Sequence, residues 1–350
     1  VANIKEVIEF FNGERELKPT IVNTREEFYK NQENFPYDFA DVKGQESVKR
    51  ALEVAAAGGH NLIKIGAPGS GKSMMAKRLP GILPPLSLGE SLETTKIHSV
   101  AGKLGKDSSL IATRPFRSPH HTISQVAMVG GGANPQPGEI SLAHHGVLFL
   151  DELPEFNRSV LEVLRQPLED RHISISRAKY SLDYPASFML VASMNPCPCG
   201  YYNHPTKACV CNPGQVQRYL NRISGPLLDR IDIQIEIVPV PFEKISEKQQ
   251  AESSASIRER VICARKMQEK RFANHPGVYC NAQMESRLLH LYAEPDEQGL
   301  NLLRNAMTRL NLSARAYDRI LKVARTIADL DHSEQVTSIH LAEAISYRNL

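Results

Sequence analysis

Gly66-Ala67-Pro68-Gly69-Ser70-Gly71-Lys72-Ser73 has the pattern G-x-x-x-x-G-K-S, the loop that cradles phosphates in nucleoside triphosphatases. Its flanks fit that reading. Asn61-Leu62-Ile63-Lys64-Ile65 is short and β-rich, and Met74-Met75-Ala76-Lys77-Arg78-Leu79 is helix-forming. The chemistry needs strand, glycine loop and helix in that order. Glycines let backbone N–H groups turn inward around phosphate oxygens. The helix start adds its partial positive charge. Lys72 is placed to reach the β- and γ-phosphates, and Ser73 to ligate Mg²⁺.

Downstream, Val147-Leu148-Phe149-Leu150-Asp151-Glu152 is an apolar run ending in two carboxylates. Four successive apolar residues predict a strand buried on both faces. Asp151 at its carboxyl end would hold Mg²⁺, and Glu152 would polarise the attacking water as general base. Such a run is common alone; after a phosphate loop by a domain-sized interval, it is specific.

With 350 residues, the chain is long enough for two domains with their own cores. Charged residues make up 23% and hydrophobic ones 41%, the balance of a soluble protein. No apolar run approaches the ~20 residues of a membrane span, and no secretory signal is visible, so a cytoplasmic protein is expected. A net charge of +3 is too small to identify a polyanionic partner. The chain opens on Val1 without a Met, which reads as a piece of something longer.

Residues 1–20 carry a short amphipathic pattern (Ile4, Val7, Ile8, Phe11) and end at Pro19, like the tail of an upstream domain. Residues 21–37 read as a linker, 38–242 as a nucleotide-binding α/β domain, and 243–350 as a helical lid domain. A helix from Glu46 carries Val48, Ala51, Leu52 and Ala55 on one side and stops at Gly58-Gly59. Residues 111–146, rich in Gly, Pro, His and Ser, are too long for a plain connection and predict a structured insertion. One helix is expected over 159–170 and a hairpin over 172–183 carrying Arg177 and Lys179. Strands are expected over 188–193 and 231–238. Helices are expected near 257–267 and over 284–292, 296–310, 314–330 and 338–348.

Other residues carry chemistry less uniquely. Asn195, just past a strand, can contact the γ-phosphate or the lytic water, or simply turn the chain before Pro196. Arg230, in Leu227-Leu228-Asp229-Arg230, can reach a neighbouring subunit's site or make a surface salt bridge. Arg315 follows Ser313, an expected N-cap, and would swing onto the phosphates as a lid closes. Cys197, Cys199, Cys209 and Cys211 form C-x-C-(x9)-C-x-C. Three readings stand: a tetrahedral Zn²⁺ site, reduced structural thiols, or a redox-labile pair. His204 lies between the pairs as a substitute ligand. Cys263 and Cys280 read as core or inert thiols.

Together these residues resemble an AAA+ ATPase. Gly138-Glu139-Ile140-Ser141-Leu142-Ala143-His144-His145-Gly146 running into the acidic strand resembles the magnesium-chelatase I-subunit group and, more distantly, MCM replicative helicases. Arg117-Ser118-Pro119-His120-His121-Thr122-Ile123-Ser124 and Asn195-Pro196-Cys197-Pro198-Cys199-Gly200-Tyr201-Tyr202 resemble the ComM/YifB branch, called magnesium chelatase-like. The resemblance covers roughly residues 36–350. It departs at Ala67, where Pro is usual. It implies a central parallel sheet with a helix-2 insertion and a hairpin before the Asn195 strand, followed by the helical lid. It also implies an upstream domain similar to the Lon protease domain, ATP and Mg²⁺ as ligands, and assembly into a ring, expected to be a hexamer. It places His120, His121, His144 and His145 in hydrogen-bonding roles rather than in a second metal cluster. Members of this branch are implied to be branch-migration helicases acting on single-stranded or branched DNA, with Arg177 and Lys179 as phosphate contacts. A chelatase-type or protein-remodelling ATPase is the other class the residues allow.

Overall fold

The computed structural model describes residues 1, 3–17, 32, 35–105, 110–132, 135–177, 180–240, 251–310 and 312–348. Most of the expected linker, and the boundary placed between 242 and 243, lie outside the described residues. Helix α1 (Ile4–Phe11) is capped by the Asn3 side chain and buries none of its residues. Helix α2 (Glu46–Gly58) precedes strand β1 (Leu62–Gly66), and α3 (Lys72–Arg78) follows the glycine loop. Helix α4 (Leu88–Val100) opens on a capping box between Ser87 and Glu90. Strand β2 (Phe116–Arg117) leads into an insertion of α5 (Gln125–Val129), the short ribbon β3 (Gly130–Gly131) and β4 (Gln136–Pro137), and α6 (Glu139–Leu142). Strand β5 (Val147–Leu150) is buried throughout, as its composition requires.

After β5 come α7 (Arg158–Glu162) and α8 (Arg165–Asp170), two helices where the sequence pattern predicted one. Pro167 explains the break. It has no N–H to donate to the carbonyl four residues back, and its ring crowds that carbonyl. The expected hairpin follows as β6 (His172–Arg177) and β7 (Tyr180–Pro185), in register from His172–Pro185 to Arg177–Tyr180. Strand β8 (Met189–Met194), helices α9 (Pro213–Leu220) and α10 (Gly225–Leu228), and strand β9 (Ile233–Ile237) complete the α/β unit.

The parallel sheet has the order β2-β5-β8-β1-β9. Strand β1 sits between β8 and β9, with Leu62 opposite Val191 and Ile233. Leu150 pairs with Ala192. This register brings the carboxyl ends of β5, β8 and β1 side by side, and the phosphate loop, the acidic pair and Asn195 all leave the sheet there. Ligands of open α/β sheets bind at that edge.

The helical layer comprises α11 (Ser254–Phe272), α12 (Ser286–Tyr292), α13 (Glu297–Arg309), α14 (Ala314–Leu330) and α15 (Ser338–Ser346). Ser313 caps α14 by accepting from the N–H of Ala316, as expected. Helix α2 lies between the sheet and this layer, touching both α11 and α14. It is therefore buried on nearly every side, not only along its Val48–Leu52 face. Its small residues, Ala51, Ala55, Ala56 and Ala57, are all fully buried between these neighbours. Its last carbonyls find donors in α11: Arg265 reaches Ala56 at 3.2 Å and Gln268 reaches Ala57 at 3.0 Å. Neighbouring strand residues feed separate cores. Leu62 joins the core under α2 and the helical layer, whereas Ile63 joins the core under the insertion and α7.

Candidate nucleotide site

The glycine loop is shaped before any phosphate contact is considered. Gly69 and Gly71 have φ of +77° and +86°, which L side chains rarely adopt. A Cβ on Gly66 would stand 2.7 Å from the Ile237 carbonyl of the adjoining strand. Lys72 is the first residue of α3, and its Nζ donates to the carbonyls of Gly66 at 2.6 Å and Ala67 at 2.8 Å. It also donates to Asn195 Oδ1 at 3.1 Å. Lys72 and Asn195 thus meet at the carboxyl ends of the strands. Partial burial pushes the Lys72 ammonium down from its ordinary range, with Asp151 and Glu152 opposing.

Asp151 is fixed from three sides. Ser73 Oγ donates to its Oδ2 at 2.5 Å, Ser193 Oγ donates to Oδ1, and the N–H of Glu152 reaches Oδ1 at 3.1 Å. The hydroxyl of Ser73 and the carboxylate of Asp151 therefore converge, and a hard divalent cation such as Mg²⁺ takes oxygen ligands of this kind. The sequence reading missed Ser193. A polar residue inside an apolar strand was the signal that could have found it.

Glu152 sits at φ +53°, in the left-handed region that costs a non-glycine residue energy. Its side chain is 59% exposed, and its Oε2 lies 3.7 Å from His121 Nδ1. His121 thus enters the site from the insertion. Two cavities meet along the glycine loop. One of about 370 Å³ is lined by the loop with Lys72, Ser73, Asp151, Glu152 and Asn195. The other, of about 740 Å³, shares Pro68–Gly71 and adds Val42, Gln45, Tyr201, His204, Lys207 and Pro239.

Beneath the site lies a residue the sequence reading passed over. Lys64 is fully buried in β1, donates to the Lys72 carbonyl at 2.6 Å, and stands 5.1 Å from the centre of the Phe149 ring. Burial pushes it down to about 7, with Lys72 adding and Asp151 opposing. The unfolded chain keeps this proton up to about 10.5, so between about 7 and 10.5 the unfolded state binds more protons and stability rises with pH. Below about 7 the folded chain carries the full cost of the buried charge, on the order of a few kcal/mol. Lys64→Met should therefore be more stable than the parent at pH 6.5, with the advantage shrinking by pH 9.5. Urea midpoints at both pH values check this; a difference that does not change with pH would sink it.

The structure does not bring Arg230 or Arg315 to the loop. Arg230 is only 6% exposed; it donates to the Pro226 carbonyl at 2.6 Å and pairs with Glu169 at 2.6 Å. Arg315 is exposed on the first turn of α14 and makes no ion pair among the described residues. One turn on, Arg319 is tied to Asp232 at 2.5 Å and to the Arg230 carbonyl. Those groups precede β9, at the end of the sheet opposite the glycine loop. A lid swing of Arg315 onto this chain's own phosphates therefore finds no support in the arrangement.

The four cysteines do come together. The Sγ atoms of Cys197 and Cys199 are 3.4 Å apart, Cys197 and Cys209 3.7 Å, and Cys199 and Cys209 3.6 Å. All four, with Cys211, lie within 4.8 Å of one another. A tetrahedron with Zn–S bonds of about 2.3 Å has S–S edges of about 3.8 Å. The backbone N–H groups of Tyr201 and Val210 hold the Cys199 thiol down at about 6. His204 is engaged elsewhere, its Nδ1 accepting from the N–H groups of Thr206 and Lys207. Glu93, His144 and His145 also cluster. There, however, the N–H of Ser187 donates to His144 Nδ1 at 3.1 Å, which leaves the Nε2 proton pointing at Glu93. Burial beside His145 pushes His144 down to about 4, so it stays neutral and hydrogen-bonded. Cys280 is buried and Cys263 exposed. Arg177 ends β6; Lys179 lies outside the described residues.

Residues 38–245 match the family model of magnesium chelatase, subunit ChlI, and residues 251–348 match that of the ChlI C-terminal region. The chain is 50% identical to the uncharacterized protein YifB of Escherichia coli (strain K12), over 89% of this chain and 60% of that protein. It is 44% identical to competence protein ComM of Haemophilus influenzae, over 98% of this chain and 66% of that protein. It is 26% identical to the magnesium-chelatase 38 kDa subunit of Rhodobacter capsulatus, over 46% of this chain and 50% of that subunit. The chain thus spans 60% of the length of the first of these relatives and 66% of the second.

Proposed function

Because this chain belongs to the magnesium-chelatase ChlI family of AAA+ ATPases, we propose that it hydrolyses ATP and, in a ring of copies, uses that energy to remodel single-stranded or branched DNA. The observation that carries the chemistry is the convergence of Lys72, Ser73, Asp151, Glu152 and Asn195 at the carboxyl ends of three adjacent strands. Lys72 exchanges the Gly66 and Ala67 carbonyls for phosphate oxygens. Glu152 takes the proton of the attacking water, and Asn195 orients that water or the terminal phosphate. Ser73 and Asp151 would hold Mg²⁺, which neutralises charge on the phosphates. Arg230 and Arg315 are assigned to the phosphates of a neighbouring copy, since neither lines this chain's own site. The four thiols are assigned one structural Zn²⁺.

DNA as the substrate is supported by the likeness to a protein named for competence over nearly the whole chain. The hairpin β6–β7 is the assigned phosphate contact, through Arg177, which ends β6, and Lys179 of the sequence. Among the described residues, no helix is long and apolar enough to cross a membrane. ATP turnover measured without DNA, with single strands and with branched DNA tests the reading. DNA should raise turnover, and binding should weaken steeply with salt. Turnover indifferent to every DNA would overturn it in favour of a protein or tetrapyrrole partner, the class suited to the chelatase-subunit relative.

A further inference from the structure

We infer that the cysteine-held loop, residues 197–211, is a wall of the nucleoside half of the site, and that metal on its thiols sets how tightly ATP is held. The inference rests on the ATP reading above. The loop starts two residues after Asn195, which touches Lys72, and then folds back over the glycine loop. Gly200 has φ +85°, and a Cβ there would stand 2.4 Å from Cδ of Pro68. Only a glycine lets the two loops approach this closely.

Beyond that contact the loop lines the larger cavity with Tyr201, His204 and Lys207, facing a lining that includes Val42 and Pro239. The surface is built before a ligand arrives. The Tyr201 and His204 rings meet edge-on at 5.5 Å, and Lys207 Nζ lies 4.9 Å from the centre of the Tyr201 ring. An aromatic and a cation beside the phosphate loop suit a purine nucleoside whose phosphates run toward Lys72. No helix or strand holds this stretch: none is present between β8 and α9. The cysteine pairs instead sit at its two ends, with the Sγ atoms of Cys197, Cys199 and Cys209 3.4–3.7 Å apart and Cys211 within 4.8 Å of them. A metal there closes the loop and removes conformations that would otherwise dissolve the wall.

Titration of the whole protein with ATP and with inorganic tripolyphosphate, both with Mg²⁺, separates the nucleoside wall from the phosphate loop. Two variants are compared with the parent, Tyr201→Ala and the double variant Cys209→Ser/Cys211→Ser, with zinc content measured on each. The parent should carry about one zinc per chain on four thiolate ligands, and the double variant none. Each variant should lose roughly tenfold in ATP affinity while tripolyphosphate binding is unchanged, the scale of one aromatic–base contact. Unchanged ATP affinity in both variants overturns the inference. So does an equal loss of ATP and tripolyphosphate, which places the effect on the phosphate loop. A metal-free parent whose four thiols titrate freely overturns the metal half, and Tyr201→Ala then decides the wall by itself. A parent that binds neither ligand overturns the ATP reading itself.

Discussion

Lys72→Ala is expected to reduce ATP turnover by about 10²–10³-fold or more, the scale for deleting a single preorganised charge at a reacting centre. The geometry makes substitution by a neighbour implausible. Among the described residues, no other lysine or arginine lines the phosphate cavity. Lys64 is sealed beneath the loop with its Nζ on the Lys72 carbonyl. The change also frees the Gly66 and Ala67 carbonyls and Asn195 Oδ1 from their common donor, so the loop loses its internal brace. Unchanged turnover would end the ATPase reading. Mixing this variant with Arg230→Ala gives a sharper result. If Arg230 works across a boundary between copies, mixed rings contain some interfaces with both residues intact, and part of the activity returns. Removing Arg230 also strips Glu169 of its partner, so thermal melts must accompany the assay.

Glu152→Gln should bind ATP within a few-fold of the parent yet hydrolyse it about 10²–10⁴-fold more slowly, the range for loss of a general base. The amide preserves size, and the φ of +53° belongs to the backbone, so the turn after β5 should survive. The position is exposed and, among the described residues, its side chain pairs with His121 alone, at 3.7 Å, so little stability is at stake. Single-turnover hydrolysis within a few-fold of the parent would move the base to another carboxylate. A large loss of ATP affinity would instead give Glu152 a binding role.

That Lys72, Ser73, Asp151, Glu152 and Asn195 would line one cavity could be read from the chain because the parts are local. Gly66 to Ser73 is one contiguous motif, and Asp151, Glu152 and Asn195 each follow a short, mostly apolar run that reads as a buried strand. What could not be read depends on distance in space rather than in sequence. Gly200 and Pro68 are far apart in the chain, and no periodicity announces their contact. Alanines carry little directional signal, so α2 looked one-sided until the helical layer was seen against its other flank. Pro167 was a local signal that was overlooked; its missing N–H splits the helix after the acidic strand. Arg315 shows the opposite hazard. Its N-cap was right, yet a local motif says nothing about which end of the sheet a helix starts from.

Helix α2 also determines how this molecule comes apart. Val48 and Leu52 sit in one continuous core with Ile257, Val261, Ile320 and Ala324 from the helical layer, and with Leu62 and Val191 from the sheet. Stripping the helical layer away would expose side chains worth about 1.5–3 kcal/mol each when fully buried. It would also leave the carbonyls of Ala56 and Ala57 without their donors. The two layers should therefore melt in one cooperative transition, with the amides of α2 among the slowest to exchange with solvent. On this expectation the helical layer and the sheet unfold as one unit, with no seam between them.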